Sequence, residues 1–305
     1  MIEIDKNIII ETEHLGSNNA IVCTRDGVVL IDAPHRPSDA IKWRRVAESN
    51  GPIRYLINTD HHIDHTMCNN FLPGEIVSHE GTRDKLLNSP PSRQYIDDLL
   101  DVIDPAGKMY LDEYTQRLPT ITYSKSMVLR LGGLEFQLTH FRGHTLNSSL
   151  IYLPQQKIAF TGDLVCEAGL PAFIDADTFE WIETVRTIES MDIRYIMPGH
   201  GKVCTIAEAR TFRQQMEDLV HQVEKCIDRG LSRDAAMAEV AYEDRIHIAT
   251  GESPAYPDHL MELFMTKSIG VIYDHIVQRR AKSAAAKSEY SDILPGKSSA
   301  NPSRV

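Results

Sequence analysis

Two periods of apolar and polar positions run along this chain, and the switch between them divides it. Up to about residue 204 the apolar runs are short and rich in β-branched residues, with Gly, Asp, Asn or Pro at their ends. The runs "NIIIETE" from Asn7, "NAIVCTRDGVVLIDAP" from Asn19 and "RYLINT" from Arg54 read as strands, the second folding back at a D-G turn. "GEIVSH" from Gly74, "SMVLRLGGLEFQLTHF" from Ser126 with its G-G turn, and "SSLIYLPQQKIAFTGD" from Ser148 continue the series. Together they predict hairpins feeding two sheets. "SDAIKWRRVAESNG", ending at Gly51, and "DADTFEWIETVRTIESM", from Asp175, carry helical spacing and would cover the outer faces.

From Ile206 to about Arg280 the period becomes helical throughout. One helix is expected over "IAEARTFRQQMEDLVHQVEKCIDRG", a second restarts after Gly230 behind the cap-like Ser232, and a last one runs through "HLMELFMTKSIGVIYDHIVQRR". The remainder, residues 281–305, is small and polar with no core-forming pattern, and is expected to be disordered or to pack on a partner. The division is therefore a sheet-forming domain over 1–204, a helical extension over 205–280, and a tail over 281–305.

Composition narrows the function. The 305 residues, 42% hydrophobic and 25% charged, suit a soluble globular chain with a sizeable core. A net charge of -11 with no basic stripe argues against a nucleic-acid partner. No apolar run reaches bilayer length and "MIEIDKNIII" lacks the order of a signal peptide, so the expectation is a cytoplasmic protein with no membrane role. The five cysteines, Cys23, Cys68, Cys166, Cys204 and Cys226, are scattered without a C-x-x-C pair and suggest neither a disulfide framework nor a cysteine zinc site.

The densest chemistry lies in "INTDHHIDHTM", where Asp60, His61, His62, Asp64 and His65 crowd the end of an apolar run in the pattern D-x-H-x-D-H. Further on, His144 in "FRGHT", Asp163 in "FTGD" and His200 in "MPGHG" each stand at an expected strand end beside a glycine. Imidazole and carboxylate are the donors that suit Zn, Mn and Fe, and a carboxylate such as Asp163 can bridge two ions. These four motifs, in this order over about residues 8 to 204, resemble the metallo-β-lactamase-fold superfamily of metal-dependent hydrolases. "VVLIDAP", ending near Asp32, and "GEIVSHEGTRDKL" resemble flanking segments of that family. The resemblance implies an αββα four-layer sandwich, an α/β fold, with its site at one edge of the sheets. It further implies one divalent ion on Asp60, His62 and His144, a second on Asp64, His65 and His200, Asp163 bridging, and a hydroxide shared between the ions as nucleophile. Zn is the first expectation for both, with Mn or Fe as alternatives.

Asp60 is the departure, since the family usually has His there. As a ligand it would bring the carboxylates to three, enough with one hydroxide to cancel the four positive charges of two divalent ions. Such a core should be a weaker Lewis acid and should favour harder ions. Its alternative duty is to orient a neighbouring imidazole. Asp64 is the catalytic candidate, accepting a hydrogen bond from the nucleophile or moving its proton. His61 reads as structural or substrate-facing, and His14, His35, His221, His247, His259 and His275, without partners at ligand spacing, as ordinary surface or core positions. Residues 80 to 120, with Pro90, Pro91, Tyr95 and Tyr110, read as a lid, while Tyr256 and His259 could supply another wall or a homodimer contact. Substrate-contact candidates are His79, whose place at a helix start suits a cap equally well, Tyr95, Tyr256 and His259. The leading function is hydrolysis of a small ester, lactone, thioester or related molecule. The alternatives are iron-dependent oxygenase or lyase chemistry on the same fold, and a metal-holding binding or regulatory protein of low activity.

Overall fold

A computed structural model describes residues 1–167, 169–242 and 258–293. Two sheets lie face to face. The first has seven strands in sequential order: β1 (Ile2–Asp5), β2 (Ile8–Glu11), β3 (Asn19–Thr24), β4 (Gly27–Ile31), β5 (Ile53–Ile57), β6 (Glu75–His79) and β7 (Ile121–Tyr123). The second has five, β8 (Ser126–Leu131), β9 (Leu134–Phe141), β10 (Ser148–Leu153), β11 (Ile158–Gly162) and β12 (Tyr195–Pro198), also in sequential order across the sheet. The D-G and G-G turns join β3 to β4 and β8 to β9 in antiparallel pairs, as the pattern predicts. β4, β5, β6 and β7 run parallel, as do β11 and β12.

Alternation along the strands explains the layering. In β4, Val29 and Ile31 face the second sheet, where they meet Phe136, Leu138, Ile151 and Phe160, while Val28 and Leu30 face outward. Both faces are covered, so the run "GVVLI" is apolar at every position after its glycine and fully buried. The outward face of the first sheet packs on Trp43 and Ala47 of α1 (Pro37–Ser49) and on Ile96, Leu99, Leu100 and Ile103 of α4 (Arg93–Ile103). Two short helices, α2 (Ile63–Thr66) and α3 (Glu80–Asn88), lie between those two in the chain. The second sheet is covered by α5 (Thr178–Glu189), α6 (Ile206–Asp228), α7 (Arg233–Glu239) and α8 (Asp258–Ile293), which close around Trp181, Phe212, Met216 and Ile272. The result is the expected αββα sandwich. Thr205 and Glu208 form a capping box at the start of α6, and the Ser232 hydroxyl accepts from Ala235 N at the start of α7.

Two expectations change. The segment expected to be a lid is mostly built into the fold: α4 presents apolar residues at positions 96, 99, 100 and 103, a helical stripe, and buries them. Tyr110 packs against Phe71 in the same core, with ring centroids 6.2 Å apart. The tail expected from residue 281 is helical as far as Ile293, because "AKSAAAKSE" is rich in strong helix formers that let α8 propagate. Residues 294–305 of that tail, and His247 and Tyr256, lie outside the described residues. Among the described residues no helix is long and apolar enough to cross a membrane.

Candidate metal centre

Five chain segments meet at one edge of the sandwich because the parallel strands point their carboxyl ends the same way. Ile31 of β4 pairs with Ile57 of β5, so Asp32 and the segment Asn58–His65 emerge side by side. His144 lies in the connection from β9 to β10, Asp163 follows β11, and His200 follows β12. Glycines make the approach possible. A side chain at Gly199 would overlap Asp163 Oδ1, and Gly162, at φ +49°, lies so close to Thr59 that a methyl group there would meet its hydroxyl.

All seven residues expected to hold metal come together. They sort into two clusters, Asp60, His62, His144 and Asp163 in one, Asp64, His65 and His200 in the other, with donor atoms within 4.8 Å of one another in each. Asp163 lies between them, with Oδ2 3.3 Å from His144 Nε2 and Oδ1 3.4 Å from His65 Nε2 and 3.3 Å from His200 Nε2. Asp64 Oδ2 is 3.3 Å from His200 Nε2 and 3.8 Å from His65 Nε2. Asp60 Oδ2 is 3.8 Å from His62 Nδ1. Donors about 2.1 Å from a tetrahedral ion stand about 3.4 Å apart, which is the scale of these separations. Three atoms that face the clusters, Asp60 Oδ2, His65 Nε2 and Asp163 Oδ1, are buried without a hydrogen bond. Such atoms are costly unless a ligand answers them, so the donor set fits a pair of divalent cations.

The surrounding charges say the same. Burial works against a proton on His62, but Asp60 and Asp175 raise its pKa to about 9. Burial likewise opposes charge on His200, yet Asp163 and Asp64 bring it to about 10. Burial pushes His144 down to about 4, with Asp163 opposing only in part. For Asp163, burial would raise the pKa, but His200, His65 and His144 hold it well below the usual carboxylate range. This is a pocket of concentrated negative potential for which protons and metal ions compete.

A second layer fixes the imidazoles. Asp32, buried and held at φ +54°, accepts from Thr59 N at 2.8 Å and from the Thr59 hydroxyl at 2.7 Å. Its Oδ2 also meets His65 Nδ1 at 2.9 Å, leaving Nε2 directed at Asp163 and Asp64. Asp175 does the same for His62: its Oδ2 is 3.3 Å from Nε2, while Nδ1 faces His144 Nε2 at 2.9 Å. Asp60 Oδ1 accepts from His62 N at 2.9 Å, so one oxygen fixes the loop and the other faces the cluster. The ring of Trp181 packs edge-on to His144, centroids 5.1 Å apart, with its N–H donated to Leu164 O at 3.0 Å. Asn18 donates to Pro198 O and Gly201 O, bracing the turn that carries His200.

Other candidates fall elsewhere. His61 Nδ1 meets Asn147 Oδ1 at 3.1 Å, and the ring lines the cavity beside the clusters, so it has both a structural contact and a place on that wall. His79 lies away from the cavities that adjoin the clusters: Nδ1 accepts from Gly81 N at the start of α3, Nε2 donates to Ser124 O, and the ring stacks on His140. The helix cap uses one nitrogen and the turn between β7 and β8 the other. His259 is exposed on α8 and does not line those cavities either. Tyr95 does, standing between a cavity of about 280 Å³ over the clusters and one of about 300 Å³ beside it. His35, read from sequence as ordinary, lines the first. Asp175 gave no sequence signal, since it precedes a helix start and its role depends on a partner 113 residues away.

Comparison with known proteins agrees with this architecture. The family profile described as Metallo-beta-lactamase superfamily matches residues 13–200, and the chain belongs to that superfamily. It is 24% identical over 172 residues to hydroxyacylglutathione hydrolase GloC of Haemophilus influenzae, covering 55% of this chain and 77% of that one. A metallo-β-lactamase from Pontibacter korlensis superposes with a TM-score of 0.56 at 20% identity, over 71% of this chain and 98% of that one. A double mutant of the sec-alkyl sulfatase PisA1 superposes with a TM-score of 0.65 at 14% identity, over 90% of this chain and 50% of that one. Membership and relatives support a metal-dependent hydrolase.

Proposed function

We propose that this chain hydrolyses a small ester, lactone or thioester with two divalent ions, Zn foremost, one on Asp60, His62 and His144 and the other on Asp64, His65 and His200, with Asp163 shared. The observation that carries the reading is the convergence of Asp60 Oδ2, His65 Nε2 and Asp163 Oδ1, buried without hydrogen bonds. When bound, the ions supply Lewis acidity toward an acyl oxygen and make a coordinated water acidic. The chain supplies the rest. Asp64 Oδ2 lines the cavity beside His200 and is placed to take the proton of the attacking water. The water oxygen joins the acyl carbon, the bond from that carbon to oxygen or sulfur breaks, and the leaving group departs with a proton. Ile63 and Leu99 exclude bulk water from one side. A relative named for hydroxyacylglutathione hydrolysis makes an acyl centre the first choice of substrate.

The test is elemental analysis of the purified protein before and after reconstitution with Zn, Mn and Fe, followed by an ester, lactone and thioester panel. About two ions per chain and turnover lost to chelation support the reading. No more than one ion per chain under every condition, or turnover indifferent to chelators, contradicts it.

A further inference from the structure

Helix α8 reaches the cavity over the clusters through Phe264 and is tied to the loop that lines it alongside. Ser268, fully buried on α8, donates its hydroxyl to Phe264 O at 2.7 Å and accepts from Phe173 N at 2.8 Å. Nearer the helix end, His275 Nδ1 meets Thr178 Oγ1 at 2.9 Å. The two contacts bracket the loop between them, which presents Ile174 and Asp175 to the cavity just after Pro171 and Ala172. Phe264, one turn before Ser268 on α8, lines the cavity together with this loop, and Ile63 of α2 and Leu99 of α4 complete the wall. Apart from Tyr95, His35 and Asp175, the polar lining among the described residues consists of the metal-cluster side chains themselves.

We propose that the site selects substrates whose acyl group is a short apolar chain, and that Phe264 is the specificity-determining residue that sets how long the chain can be. The proposal rests on the hydrolase reading and adds the substrate class to it. A polar substituent on the acyl side would exchange water for aliphatic carbon with few partners, a net loss, whereas each added methylene is removed from water. A cavity of about 280 Å³ holds only a small group, and the Ser268 clamp keeps α8 from yielding to a longer one. The limit should therefore be sharp.

The experiment is calorimetric titration of the metal-loaded full chain with straight-chain alkyl hydroxamates from acetyl to octanoyl. Their head groups seek metal, and they require no turnover. Affinity should rise roughly four-fold per methylene until the cavity is full, then fall. Phe264→Ala should move that limit to longer chains, and Phe264→Leu, which keeps most of the packing, should move it less; metal content is checked in each. Identical profiles in all three proteins, or an affinity indifferent to chain length, overturn the proposal. The same acyl series is then assayed as thioesters. Absent turnover with the hydroxamate profile intact rejects the hydrolase reading and leaves the acyl pocket standing.

Discussion

Replacing Asp32 by Asn changes one atom and should disable one metal cluster. The carboxylate receives three contacts on two oxygens: Thr59 N on Oδ1, and the Thr59 hydroxyl and His65 Nδ1 on Oδ2. An amide has one oxygen. Turned toward Thr59 N, it presents its NH₂ to His65 Nδ1, which must then become an acceptor. The imidazole proton moves to Nε2, the atom facing Asp64 and Asp163, and that atom can no longer bind a cation. Turned the other way, the NH₂ meets the Thr59 N–H, and a buried donor goes unanswered at a cost of about 1–3 kcal/mol. Loss of an outer partner of this kind costs about 10–100-fold in metal affinity. Burial of both partners puts the expected loss toward 100-fold, about 2.8 kcal/mol at 1.4 kcal/mol per decade. Competition between the metal-free protein and a chromophoric chelator resolves the two binding steps. One ion should weaken, and the ion on Asp60, His62 and His144 should keep its affinity within a few-fold. If both ions of Asp32→Asn bind as in the wild type, the argument from the His65 tautomer is wrong.

Asp175→Ala should weaken the other ion, by about 10-fold, because its contact with His62 is half exposed and partly replaceable by water; the same competition assay reads it. Gly199→Ala, which sets a methyl group on Asp163 Oδ1, should cost both ions together with several degrees of thermal stability, measured by elemental analysis and calorimetry. The pH dependence has a definite sign. His62 and His200 have folded pKa values raised to about 9 and about 10, so their contribution to the metal-free protein is complete below about 6.5 and is lost as pH rises through those values. The melting temperature of the metal-free chain should fall over that window. That of the metal-loaded chain, whose imidazoles are already deprotonated, should not, and parallel curves for the two forms would contradict the assignment.

Much of this was readable from the chain, and the residues show why. The seven side chains of the clusters stand at strand ends beside turns, where local pattern and residue type coincide, and their division between two sets was implied by the resemblance to the metallo-β-lactamase fold. Asp32 was visible as a strand end, but its task follows from the parallel register of β4 and β5, which no local window contains. Asp175 and Phe264 owe their positions to contacts between a loop and a helix about ninety residues later in the chain. The stripe at 96, 99, 100 and 103 was in the sequence, yet prolines and charges on either side obscured it. His79 left two readings open, a substrate contact or a helix start, and the structure uses it to begin a helix.

The two candidate clusters each draw on both sheets. Asp60, His62, Asp64 and His65 follow β5 of the seven-stranded sheet, whereas His144 and His200 follow β9 and β12 of the five-stranded one. Each ion would therefore act as a rivet through the seam of the sandwich. The chain crosses that seam at Ser124 and Lys125, between β7 and β8. A protein severed there would yield two halves, neither owning a complete ligand set, and their recovery of metal on mixing would serve as a clock for the docking of one sheet onto the other.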